Sequence, residues 1–179
     1  MSRSGSRTAI FASATAVLLS MCVAQSASAA DSVAPPPADV PAMTAAETVV
    51  LSAAPDNARG FGAQNVINCP IRANYPHRSQ HIPGFVAGES TTSCPVPVPS
   101  VATQAELYRW LPGFGWALAG IGQYKYGPGT YVTSAANDIC QGGSAYYYTL
   151  GHHSVVFPKG YTPQSASGTT KSPVIRVNC

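Results

Sequence analysis

The chain has 179 residues, with ten Lys/Arg against seven Asp/Glu, and charged residues make up only 9% of it. That length suits one ordinary domain. The thin, nearly balanced charge excludes the basic cluster a nucleic-acid binder needs, and no stretch beyond Ala30 is long and apolar enough to span a membrane as a helix.

The first residues follow the three-part plan of a secretory signal peptide. Arg3 and Arg7 make a positive start, and an uncharged stretch from Thr8 to Val23 follows, centred on Ile10, Phe11, Val17, Leu18 and Leu19. Small residues at Ala27 and Ala29 then have the spacing that signal peptidase recognises, which predicts a leader over 1–29 and a mature chain from Ala30 or Asp31. The apolar stretch is shorter than the roughly 20 residues a membrane anchor requires. Met21 stands before Cys22 where a lipobox needs Gly or Ala, which argues against a lipid anchor.

Residues 30–63 read as a flexible acidic arm. Pro35, Pro36, Pro37 and Pro41 favour extended, solvated chain, and Asp31, Asp39, Glu47 and Asp56 face a single base, Arg59. Within the arm, Thr44 and Glu47 have capping-box spacing and could open a short helix through Leu51. The run Thr48 to Leu51 reads equally well as a strand, and its periodicity does not decide between them.

From residue 64 to 179, turn residues punctuate short β-prone runs. Asn65 to Ile67 leads into Cys69-Pro70, and Phe85-Val86 follows. Thr103 to Leu111 alternates, with Thr103, Ala105, Leu107 and Arg109 on one side and Gln104, Glu106, Tyr108 and Trp110 on the other. Gly127-Pro128-Gly129 reads as a turn before Thr130 to Thr133. Ser144 to Phe157 reads as strand interrupted at Gly151, and Val174 to Val177 is the last run. Gly113, Gly115, Gly120 and Gly122 lack the spacing of a phosphate-binding loop and read as turn and bulge residues. The expectation is a mostly β chain forming one small β-sandwich or barrel-like domain.

Four cysteines remain after leader removal: Cys69, Cys94, Cys140 and Cys179. An even number in an exported chain reads as two disulfides, with three pairings open. Cys69–Cys94 with Cys140–Cys179 is favoured, because each pair brackets a self-contained loop or strand set. A structural zinc site is disfavoured, since no two cysteines lie two to four residues apart.

Tyr75-Pro76-His77-Arg78-Ser79-Gln80-His81-Ile82-Pro83-Gly84 sits between the first two cysteines. Leu107-Tyr108-Arg109, Cys140-x-Gly-Gly, Phe157-Pro158-x-Gly-Tyr161-x-Pro163 and a terminal Val177-x-Cys179 follow it. Together these motifs resemble small secreted four-cysteine proteins of actinobacteria, over roughly residues 65–179. The resemblance implies an exported four-cysteine domain. That group has no assigned activity, so it implies no catalytic residue.

His77 and His81 have the four-residue spacing of metal-binding histidines on a helix. Pro76 and Pro83 bracket them, so a loop is expected, and His152 or His153 would have to complete any metal site. Ser79 and Ser154 lie beside histidines but outside a Gly-x-Ser-x-Gly elbow. Glu89, Glu106 and Asp138 are too scattered in sequence to suggest a glycosidase pair. The aromatic residues Tyr108, Trp110, Trp116, Tyr146, Tyr147 and Tyr148 are the candidate binding surface, since rigid amphipathic rings with few charges suit sugars and proteins. The sequence therefore predicts a secreted, non-catalytic binding module with no cofactor, whose extracellular ligand is a cell-surface polysaccharide or a protein. The competing expectation is a hydrolase or metal-binding protein built on His77, His81, His152 and His153.

Overall fold

The computed structural model describes residues 48–56 and 65–179. The leader, Thr44 and Glu47, and most of the arm lie outside these. The described residues form ten strands and no α-helix: β1 (Val49–Pro55), β2 (Ile67–Ala73), β3 (His77–Arg78), β4 (Phe85–Leu111), β5 (Gly115–Ile121), β6 (Lys125–Ile139), β7 (Ser144–Val156), β8 (Tyr161–Thr162), β9 (Ser165–Lys171) and β10 (Ile175–Asn178). They make a sheet that curls into a nearly closed barrel, as the turn-punctuated sequence predicts. No helix of the described residues is long and apolar enough to cross a membrane.

The 27-residue β4 organises the barrel. One of its edges carries β6 over most of its length and β5 at its end; the other carries β3, β2 and then β7. Pairing with β6 breaks between Ser93 and Val98 and again before Val101. Pro95, Pro97 and Pro99 fall in this stretch, and proline has no N–H to give to the ladder. Across this stretch β4 changes the partner on its other edge, from β2 at Ser90–Thr92 to β7 from Ser100.

Strands approach closely where side chains are smallest. A methyl group on Gly120 of β5 would lie 2.3 Å from the Asn137 carbonyl oxygen of β6, and one on Gly88 of β4 would lie 2.5 Å from Thr149 Oγ1 of β7. Only glycine fits at either place. The core consists of two apolar clusters. One gathers Leu51, Ile71, Val98, Val101, Val155 and Phe157; the other gathers Val86, Leu107, Ala136, Tyr147 and Val177. Ser90, Thr92, Thr103, Ser134, Thr149, Thr170 and His153 are also buried. His153 Nδ1 lies 2.9 Å from Thr92 Oγ1 and 3.2 Å from Thr103 Oγ1, and Nε2 lies 2.8 Å from Thr170 Oγ1. Thr92 gives its own proton to the Ala102 carbonyl, so it accepts from Nδ1–H, and Thr170 donates to Nε2.

Both favoured disulfides are present: Cys69–Cys94 joins β2 to β4, and Cys140–Cys179 joins the end of β6 to the residue after β10. Three other expectations need correction. Residues 49–55 are not arm: β1 pairs with β2 from Val49↔Ile71 to Ala53↔Ile67, and Leu51 and Ala53 are buried in the core. The folded domain therefore begins before residue 64. Gly127-Pro128-Gly129 is no turn but an irregular stretch inside β6. Gly151 does not interrupt β7; it is buried opposite Ala105, where a methyl group would strike His153 and Ser90.

Candidate functional site

Side chains alternate across a strand, and the alternation around Thr103–Leu111 decides which aromatic groups face out. Ala105 and Leu107 point into the core, so Glu106, Tyr108 and Trp110 point outward from β4. On the flanking strands, Trp116 pairs with Trp110 and Tyr148 pairs with Tyr108. The Tyr108 and Tyr148 rings stack with centroids 4.8 Å apart. Trp116 meets both Trp110 and Tyr148 edge-on, at 5.3 and 4.7 Å. Lys171 of β9 holds its ammonium 3.9 Å from the Tyr148 ring centroid. Tyr148 is thereby buried within the patch, while Tyr108, Trp110, Trp116 and Tyr146 stay half-exposed. Tyr147 leaves the candidate surface: it points inward, is 1% exposed, and belongs to the core.

Polar groups frame this face. Glu106 accepts a hydrogen bond from the Tyr108 hydroxyl at 2.9 Å through Oε2, and Oε1 lies 3.4 Å from His152 Nε2, an ion pair whenever His152 is protonated. The bond to Glu106 raises the Tyr108 pKa, and burial pushes that of Tyr148 up to about 12. Burial also lowers the Lys171 pKa.

Beside Trp110, at the end of β4, lies a cavity of about 450 Å³ lined by Arg109, Trp110, Gln141, Ser144, Tyr146 and Tyr147 among others. Arg109 Nη1 and the Tyr147 hydroxyl both donate to Asp138 Oδ2 at 3.1 Å. Burial is the main reason the Tyr147 pKa is raised. The rim is fixed by the Cys140–Cys179 bridge and by Cys179 N–H donating to the Gly143 carbonyl at 2.6 Å.

The histidines do not converge. His77 and His81 line a separate cavity of about 320 Å³ with Ser79 and Glu89, on the outer side of β4 and β6 beside Ala135 and Asn137. Sequence distance hid Glu89, which β4 brings there by pairing with β3 two residues away. His77 Nδ1–H donates to the Tyr75 carbonyl at 3.1 Å, which leaves Nε2 as the free acceptor. Ser79 Oγ accepts from Ile82 N–H. His152 belongs to the aromatic face, and His153 is in the core, where burial lowers its pKa to about 4. No three His, Cys, Asp or Glu side chains are grouped to hold a metal ion among the described residues.

Sequence reasoning missed Glu106, Lys171, Arg109 and Gln141 as parts of the candidate site. The alternation over Thr103–Leu111 already put Glu106 beside Tyr108 and Trp110. Lys171 carried no signal, because β9 (SASGTTK) lacks apolar alternation. The chain matches no protein-family model, and no curated protein matches its sequence.

Proposed function

We propose that this protein is a secreted, non-catalytic binding module that engages a cell-surface polysaccharide or protein through the outer aromatic face of β4, β5 and β7. The observation that carries this reading is the contact of Trp110, Trp116, Tyr108 and Tyr148 in one outer cluster, of which Trp110 also lines a cavity. Braced aromatic rings supply large apolar contact area at little cost in side-chain entropy. The leader over 1–29 and the two disulfides support an extracellular site of action.

The test is retention of purified mature protein on cell-envelope preparations from the producing cells. The Trp116→Ala, Tyr108→Ala double variant is expected to lose at least tenfold in retention while keeping its circular dichroism spectrum. Unchanged retention would overturn the reading. Intact-mass analysis of the culture medium checks export: the expected species begins at Ala30 or Asp31, and a cell-bound product retaining Met1 argues against it.

One observation favours a second reading, a hydrolase or metal-binding protein. His77, His81, Ser79 and Glu89 share one cavity, and a backbone carbonyl fixes the His77 tautomer, as is common for ligating and catalytic histidines. Titration with zinc and copper, before and after His77→Ala with His81→Ala, separates the two readings.

A further inference from the structure

We infer that the cavity between β4 and the β6–β7 turn holds a pyranose unit of a neutral glycan. The inference rests on the binding-module reading and specifies the ligand of the same surface.

The aromatic lining comes first. Trp110 and Tyr146, half-exposed aromatic residues on neighbouring strands, both line the cavity. The C–H face of a pyranose ring is apolar and the rim of the ring carries the hydroxyls, so a sugar fits a cavity lined by both aromatic and polar residues.

The charge balance selects among sugars. Among the described residues, Arg109 is the one charged side chain on the cavity lining, and the Asp138 carboxylate lies 3.1 Å from its guanidinium. The pair is nearly neutral, so an anionic sugar gains little and a cationic one gains nothing. Asp138 takes one of the five guanidinium N–H donors through Nη1 and the Tyr147 hydroxyl engages another, and sugar hydroxyl groups are suitable acceptors for those that remain. At the rim, Gln141 offers an amide donor and acceptor. Ser144 Oγ accepts from Arg176 Nε at 2.8 Å, which leaves its hydroxyl proton to give.

Pre-organisation and size complete the argument. The rim is stapled by Cys140–Cys179, and Trp110 is braced by Trp116, so little freedom remains to be lost on binding. A volume of about 450 Å³ is within the small-ligand range and too small for a docked helix. Further sugar units would run along Trp116 and Tyr108.

Trp110 and Trp116 are the only two tryptophans in the sequence, so intrinsic fluorescence reports on this face alone. The probes are neutral hexasaccharides of β-1,4- and α-1,4-glucan, xylan, mannan and galactan, with oligogalacturonate as the acidic and chitosan hexamer as the cationic counterpart. At least one neutral hexasaccharide is expected to shift the emission saturably. Trp110→Ala, followed by calorimetry, should weaken its binding at least tenfold, and Gln141→Ala, on the exposed turn, about threefold. Lack of binding by every neutral probe, binding confined to the charged oligomers, or neutral binding unaffected by both substitutions would each overturn the inference. If no sugar binds but the Trp116→Ala, Tyr108→Ala variant still loses its envelope retention, the binding-module reading stands with a protein as ligand and this inference falls alone.

Discussion

Lys171 places its ammonium 3.9 Å from the centroid of the Tyr148 ring, pairing a cation with the most enclosed aromatic of an otherwise half-exposed patch. The ring also stacks on Tyr108 and meets Trp116, so it serves as the foundation on which the outer rings are held.

Truncating that foundation should therefore cost stability as well as binding. Tyr148→Ala is expected to lose about 3–5 kcal/mol in urea unfolding, in the range of large aromatic truncations. Tyr148→Phe keeps the ring and should stay close to the parent. The hydroxyl has its own signature in an ultraviolet titration, because one tyrosine should ionise near pH 12. Unfolded phenols ionise about two pH units earlier, so stability is complete below pH 10 and declines as the pH rises toward 12.

His153 gives the opposite limb of the pH profile. Burial holds its folded pKa at about 4, against 6.5 for the free side chain, and the neighbouring His152 adds to the effect. Between those values the unfolded chain takes up a proton that the folded chain refuses. Stability should fall as the pH drops from 6.5 toward 4, by roughly 3 kcal/mol for this group. His153→Gln should flatten that slope in chemical denaturation measured across the window. A slope unchanged by the substitution would mean that other groups set it.

Thr149 Oγ1 is buried and has no hydrogen-bond partner among the described residues. Thr149→Val keeps the shape and removes the stranded hydroxyl, and the backbone bonds between Thr149 and Ser172 are untouched. A gain of about 1 kcal/mol is expected from thermal or urea unfolding. A loss would indicate that the hydroxyl is satisfied in solution.

β1 sets the effective start of the domain. A chain beginning at Thr48 should melt on the order of 10 °C above one beginning at Asn57, because the shorter chain lacks the burial of Leu51 and Ala53 and exposes the edge of β2. Equal melting temperatures would show that β1 is dispensable.

For the histidine cavity, zinc or copper titration of the oxidised protein is expected to give no stoichiometric complex at micromolar affinity, since the described residues bring no third ligand to His77 and His81 with metal-binding proximity. Tight binding abolished by His77→Ala with His81→Ala would favour the second reading instead.

The parts of this fold that were legible in the sequence depend on local pattern. Alternation over Thr103–Leu111 divided this part of β4 into two sides, which burial then assigns to core and surface, and the bracketing of loops by cysteines favoured the pairing that the structure contains. What escaped depends on distant contact. β1 was masked by an acidic, proline-rich neighbourhood, although its partner β2 makes it a strand. The continuity of β4 was hidden by Pro95, Pro97 and Pro99, because an edge lost for a few residues looks like a loop in sequence. The polar cluster around His153 also escaped, since nothing local announces that Thr92 and Thr103 of β4 and Thr170 of β9 will satisfy one buried imidazole. Tyr146 to Tyr148 carried the alternation rule but not its phase, and only the core showed that Tyr147 is the inward member.

The Cys69–Cys94 bridge has a consequence for survival of proteolysis. Arg78 and the turn that follows it are exposed, and both lie between the two bridged cysteines. Trypsin-like cleavage after Arg78 would therefore sever the backbone without releasing a fragment. β2 would remain covalently tied to β4 and hydrogen-bonded along it, so the nicked protein should run as one species until it is reduced.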